Sequence, residues 1–219
     1  KEYVAYNNSR GKPILSLFQV NSTLTEVLFI ERCLNLLKPG GRMGIVLPEG
    51  VLNNSKLQEI REFVESRAKI LLIVSIPQDV FMASGATVKP SLLFFKKFTE
   101  QETRQHETIV KEAEKLANEK YESELTLVVE QLALRGKDTL DAATKSALKS
   151  KQKEIQTKRD SEIKALVKKE FDYQIAMAKV EKVGINTTVQ EIENELIPLE
   201  KEFTEYRNNV SLWGKKNNI

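Results

Sequence analysis

Between Thr23 and Leu37, apolar residues fall at Leu24, Val27, Leu28, Ile30, Leu34 and Leu37. This is the three-and-four spacing of a helix with a broad buried face. Asn21, Ser22 or Thr23 is positioned to cap its start, and Pro39-Gly40-Gly41 ends it, with glycine taking the left-handed conformation that closes a helix. The pattern then changes. Met43, Ile45, Val46 and Leu47 form a short apolar run, as in a strand covered on both faces, and Pro48-Glu49-Gly50 follows as a loop at its carboxyl end. Helical spacing returns over Ser55–Ala68 at Leu57, Ile60, Phe63 and Val64, with Asn54 or Ser55 as the cap. Lys69–Ile76 reads as a second buried strand stopped by Pro77, Gln78–Pro90 as a loop, and Ser91–Phe98 as a third strand. The link before that third strand is too short for a helical crossover, so an antiparallel pairing is expected. The alternation predicts an open α/β sheet, in which ligands bind beyond the carboxyl ends of the strands.

From about Thr99 to Glu170 the chain is dense in Glu, Lys, Ala and Leu, with no proline and only Gly136 as glycine. Val110, Ala113, Ala117, Tyr121, Leu125, Val128 and Leu132 step by three or four and predict one long helix, about 50 Å at 1.5 Å per residue. Arg135–Asp138 is the expected break. A second helix follows, with Ala143, Ala147 or Leu148, Ile155, Ile163 and Leu166 on one stripe. An antiparallel hairpin arm is the economical arrangement, each helix burying the other's narrow seam. Phe171–Gly184 alternates apolar and polar residues and is expected to return as a strand beside Ser91–Phe98, which makes the arm an insertion between sheet strands. Asn186-Thr187-Thr188 reads as a turn. Val189, Ile192, Leu196, Leu199, Phe203 and Tyr206 then form a helical seam, with Pro198 as a break or kink where a new helix begins. The expected divisions are 1–98, 99–170 and 171–219. Residues 1–22 read as a loop with extended pieces at Tyr3–Tyr6 and Ile14–Val20, and Val210–Ile219 as a frayed tail anchored at Leu212-Trp213.

The composition narrows the chemistry. In 219 residues, 30% are charged and 41% hydrophobic, with a net charge of +3, so a sizeable core is possible and charge alone does not select a polyanionic partner. The single cysteine, Cys33, lies in the apolar helix; it reads as packing, excludes an internal disulfide and fits a reducing, cytoplasmic compartment. One histidine, His106, leaves no zinc constellation and no Ser-His-Asp set. No apolar run approaches the ~18 residues of a membrane span. The chain opens in a polar segment without an initiator methionine, as a piece of a longer protein would.

Residues 28–54 (LFIERCLNLLKPGGRMGIVLPEGVLNN) and 70–98 (ILLIVSIPQDVFMASGATVKPSLLFFKKF) resemble the second half of the catalytic domain of N6-adenine DNA methyltransferases, above all the modification subunits of type I restriction-modification systems. FDYQIAMAKVEKVGI, at 171–185, is similar to a later strand of that family. The resemblance implies part of a Rossmann-like, S-adenosylmethionine-dependent sheet, with the helical hairpin inserted and a C-terminal helix after it. It also implies methyl transfer from S-adenosylmethionine to a flipped adenine, as catalysed by the full-length protein. The family's Gly-rich cofactor loop and its Asn-Pro-Pro-aromatic motif do not occur here, so the resemblance implies a chain that is inactive alone and does not hold the cofactor.

By the same resemblance, Pro48, Glu49 and Gly50 lie where the enzyme closes over the target base. Phe81, Ser84, Gly85, Val88 and Lys89 belong to a loop that approaches DNA, and an aromatic among Phe94, Phe95 and Phe98, with Phe95 the choice, packs beside the base. DNA and the specificity and restriction subunits are the implied partners. The basic bias of the arm's second half suits either duplex phosphates or a partner helix, with a protein partner favoured. The strand edge at Arg42–Leu47 is expected to be covered by residues 1–20 or by a second copy. A non-catalytic coiled-coil adaptor is the alternative.

Overall fold

The computed structural model describes residues 18–134 and 141–209. Strands β1 (Arg42–Pro48), β2 (Ala68–Ser75), β3 (Pro90–Lys97) and β4 (Ala176–Lys179) form one sheet in the order β1-β3-β2-β4. β3 runs antiparallel to both β1 and β2, as its short connection requires, and β4 runs parallel to β2. The carboxyl ends of β1, β2 and β4 therefore share one edge with the start of β3.

Helices cover both faces of the sheet. On one, α1 (Thr25–Leu36) and α3 (Gln58–Glu65) bury Val27, Ile30, Leu34, Ile60, Phe63 and Val64 against Leu47, Leu93 and Phe95. On the other, Leu72, Val74, Ile76, Ala176 and Val180 meet Leu196, Leu199, Phe203 and Tyr206 of α6 (Leu196–Asn208). Strand β2 serves both layers through a bulge between Ile70 and Leu72. The extra residue shifts the alternation, so Ile70 packs on the first face and Leu72 on the second although they are two apart. Asn54 accepts a hydrogen bond from the Lys56 amide and so caps a 3-10 turn over Ser55–Leu57, whereas α3 itself starts at Gln58 without a side-chain cap. Likewise, α1 has no side-chain cap at its start. Its last turn contains no basic residue, and Lys97 of β3 supplies one, donating to the carbonyls of Leu34 (3.0 Å) and Leu37 (2.8 Å). A cation at that end opposes the helix dipole.

Two expectations need correction. The strand at Ala176–Lys179 pairs with β2 and not with Ser91–Phe98, because both edges of β3 are already taken by β1 and β2, whereas β2 still offers its outer edge. Nor is 189–206 one helical seam. β5 (Val183–Ile185) and β6 (Glu191–Asn194) form a separate hairpin, and Val189 takes a positive φ of 62° in its turn. Asn186 dictates this turn, its side-chain oxygen accepting from the Thr188 amide (3.0 Å), the Thr188 hydroxyl (2.8 Å) and the Gln190 amide (2.9 Å). Such Asn-centred bonding competes with a helix start. Only Leu196, Leu199, Phe203 and Tyr206 are helical, and Pro198 falls in the first turn of α6, where a missing N–H costs no intrahelical bond. Expectations for Tyr3–Tyr6, most of Ile14–Val20, Arg135–Asp138 and Val210–Ile219 concern segments outside the described residues. So does most of the expected cover for β1, whose second edge meets no strand among the described residues. Gln19 and Val20 are held by Glu31 of α1.

The chain separates into two compact units, with the second running from Gln101 to Tyr173. It consists of α4 (Glu100–Ala133), continuing from the first unit, and α5 (Ala142–Glu170), the latter capped by Asp141. The two run antiparallel. His106 stacks edge-on against Phe171 at 5.2 Å, Lys120 and Tyr121 both bind Glu162 (2.7 and 2.8 Å), and Lys151 reaches Glu124 (3.6 Å). Ala113, Ala117, Val128 and Ile155 fill the seam. No helix among the described residues is long and apolar enough to cross a membrane.

Burial pushes the His106 imidazole below its ordinary value of 6.5, against an opposing pull from Glu107. Below that pH the unfolded chain takes up a proton that the folded one resists, so the stability of this helix pair falls as pH drops through 6.5. An NMR titration is expected to place His106 below 6.5; a higher midpoint would contradict the burial.

Candidate functional site

Pro48 ends β1 and Pro90 opens β3 directly opposite it. Where the sequence suggested a loop, the chain turns into a short helix, α2 (Glu49–Asn53), with Glu49 as its first residue. The Glu49 amide donates to the Lys89 carbonyl at 2.9 Å, and the Lys89 ammonium sits 3.3 Å from each Glu49 carboxylate oxygen. A half-exposed ion pair contributes at most about 1 kcal/mol. Its consequence is positional: it ties the turn after β1 to the end of the loop that precedes β3.

That loop is not irregular. Gln78–Ser84 is a 3-10 turn, closed by Gly85 at φ +82°, a conformation strained for any side chain. The Gly85 amide donates to Met82 and the Ala86 amide to Phe81, while the Gln78 side chain donates to the Thr87 carbonyl at 2.9 Å. The tip carries Ser84 and Gly85 in the open, and Phe81, Met82 and Val88 are exposed apolar side chains beside them.

An open cleft of about 340 Å³ lies at the same edge, lined by Ser75, Ile76, Pro77, Asp79, Lys89, Lys179, Val180 and Glu181. Lys179 pairs with Glu181 at 3.0 Å. The backbone after β4 is fixed by Glu195, whose carboxylate accepts from the Glu181 amide (2.6 Å) and the Lys182 amide (3.2 Å). Those two amides hold the Glu195 carboxyl below the usual carboxylate range.

Of the sequence-derived candidates, Pro48, Glu49, Gly50 and Lys89 come together, and Phe81, Ser84 and Gly85 form the adjoining loop tip. Phe95 does not join them. It is fully buried under α1 and α3, opposite Met43 and Ile70. Phe94 faces the other layer with its ring over Gly44, so close that an added Cβ would lie 2.7 Å from it. Asp79, Lys179 and Glu181 escaped the sequence reading because the cleft they line exists only once β4 is placed beside β2.

The described residues do not by themselves fit S-adenosylmethionine. The cleft is open and lined by charges of both signs, Asp79 and Glu181 with Lys89 and Lys179, and a Cβ added at Gly50 would meet open space rather than a close-fitting cradle. Nor does any group of His, Cys, Asp and Glu among the described residues have the geometry to hold a metal ion.

A family profile described as N-6 DNA Methylase matches residues 7–195. Over 95 residues, 43% of the chain, it is 30% identical to the type I restriction enzyme EcoKI methylase subunit of Escherichia coli strain K12. It is equally similar, over the same length, to the StySJI methylase subunit of Salmonella typhimurium strain LT2. The matched stretch amounts to 18% of each of these relatives. Among solved structures, it is 34% identical to a chain from a study of complex assembly and conformational transition of the type I R-M system, covering 36% of this chain and 17% of that one. The TM-score is 0.34, too low to bear on the fold. The profile takes in all four strands of the sheet and both long helices, and by it the chain belongs to the N-6 DNA methylase family.

Proposed function

We propose that this chain is the C-terminal part of the catalytic region of a DNA adenine-N6 methyltransferase, of the type I modification-subunit kind. In this reading the protein works in the cytoplasm with specificity and restriction subunits and takes its methyl group from S-adenosylmethionine. The family match over residues 7–195 carries the reading. The arrangement at the carboxyl edge supports it: the Glu49–Lys89 pairing holds the post-β1 turn against the 77–90 loop, where strand ends of an α/β sheet receive ligands. The loop tip, with Ser84 and Gly85 exposed beside Phe81, is the part that meets DNA. Pro48-Glu49-Gly50 forms one wall of the pocket for an extruded adenine, and Glu49 is available there as an acceptor. The cofactor cradle and the residues that orient the adenine amine come from another part of the protein.

The test compares this chain with the polypeptide encoded by its extended reading frame. Labelled methyl transfer to duplex DNA, with product nucleosides identified by mass spectrometry, is expected to give N6-methyladenine with the longer protein and none with residues 1–219. Turnover by the 219-residue chain alone would overturn the division of labour. A longer protein without a Gly-rich loop and an Asn-Pro-Pro-aromatic motif would overturn the assignment.

A further inference from the structure

Charge is divided unequally between the two long helices. α4 carries nine acidic residues and four Lys or Arg, while α5 carries four and nine, within a chain whose net charge is only +3. Across the seam Lys120 binds Glu162 and Lys151 reaches Glu124, and within α5 Lys158 pairs with Glu154. At 100° per residue, Lys149, Lys153, Lys164 and Lys168 lie within about 60° of the line opposite buried Ile155, and all four are exposed. They span about 28 Å of helix. Ser150 and Thr157 stand exposed between them, Ser146 lies just before Lys149, and Asp160 on this face is engaged by Arg159 at 2.9 Å.

We propose that this face of α5 lies along the backbone of double-stranded DNA as a sequence-independent contact. A strand of duplex presents a phosphate every ~3.4 Å of axis, so a 28 Å row of lysines meets several. Lysines act as point charges without bidentate base readout, and the intervening hydroxyls are short enough to let phosphates approach. A protein partner for this face is disfavoured, because helix docking uses apolar anchors. None of the large exposed apolar side chains belongs to α5, whereas Leu116, Leu127 and Val129 stand out on α4. The inference takes from the proposed function only the identity of the polyanion.

The test measures binding of the full 219-residue chain to a labelled 30-base-pair duplex by fluorescence anisotropy, between 50 and 200 mM salt. Changing Lys149, Lys153, Lys164 and Lys168 together to glutamine is expected to weaken binding at least ten-fold. It is also expected to flatten the slope of log K against log salt by about 3 to 4, near one unit per lysine. The loss should be equal on two duplexes of unrelated sequence. The fourfold arginine variant should keep wild-type affinity and slope, and a K111Q/K115Q variant on α4 should change neither. Unaltered binding by the glutamine variant, or no binding by the wild-type chain at 50 mM salt, would overturn the inference. Methyl transfer by the longer protein is a separate readout, so either idea can fail while the other stands.

Discussion

Replacing Glu31 with alanine is expected to lower the unfolding free energy of the chain by about 3 kcal/mol or more, making this one of its most sensitive positions. Glu31 is a carboxylate only 1% exposed, in a helix whose other buried residues are apolar. Its two oxygens accept from consecutive amides, Gln19 at 2.8 Å and Val20 at 2.9 Å. A hydrogen bond to a charged group is worth about 1.5–3 kcal/mol, and truncation leaves a buried donor with no acceptor. The Gln19 side chain is held in turn by Arg67 at 2.9 Å, and the Arg67 guanidinium lies 4.0 Å over the Phe63 ring. Residues 19 and 20 are thereby joined to α1 and α3 together. Glu31→Gln keeps one acceptor and should recover part of the loss. Urea unfolding followed by circular dichroism measures both variants; a loss below 1 kcal/mol for the alanine variant would show that the clamp is dispensable.

The second large effect separates core from site. Phe95→Ala is expected to cost about 4 kcal/mol, since a wholly buried phenylalanine leaves a cavity that surrounding helices fill only in part. Phe81→Ala, at an exposed loop tip, should change stability by no more than about 0.5 kcal/mol. Denaturant midpoints decide the matter. If Phe95→Ala unfolded like the native chain, the packing of α1 and α3 on β3 would not be what holds this layer together.

Much of the sheet was legible before any coordinates. Three apolar runs, each bounded by Pro or Gly, correspond to β1, β2 and β3, and a short link sufficed to make β3 antiparallel. The neighbour of β4 was not legible, because alternation identifies a strand but says nothing about which backbone edge stands vacant. The 3-4-3-4-3 stepping from Val189 misled for a local reason: Asn186 gathers three nearby donors, and the chain turns back as a hairpin before α6 begins. At the site, Glu49 and Lys89 were each marked by their motifs, but their union forty residues apart needed the register of β1 against β3. Glu31 left no trace in the pattern, since a charge one turn from Val27 in an amphipathic helix looks like surface.

The central position of β3 governs the order in which this protein is able to form during translation. β1 and β2 are not paired with each other; the two are joined through Pro90–Lys97. A nascent chain therefore carries both apolar segments past the ribosome before the strand that joins them has been made. β4 arrives later still, after the whole helical arm, to meet a strand made some hundred residues earlier. A message cut short upstream of Pro90 lacks the one strand through which β1 and β2 are joined.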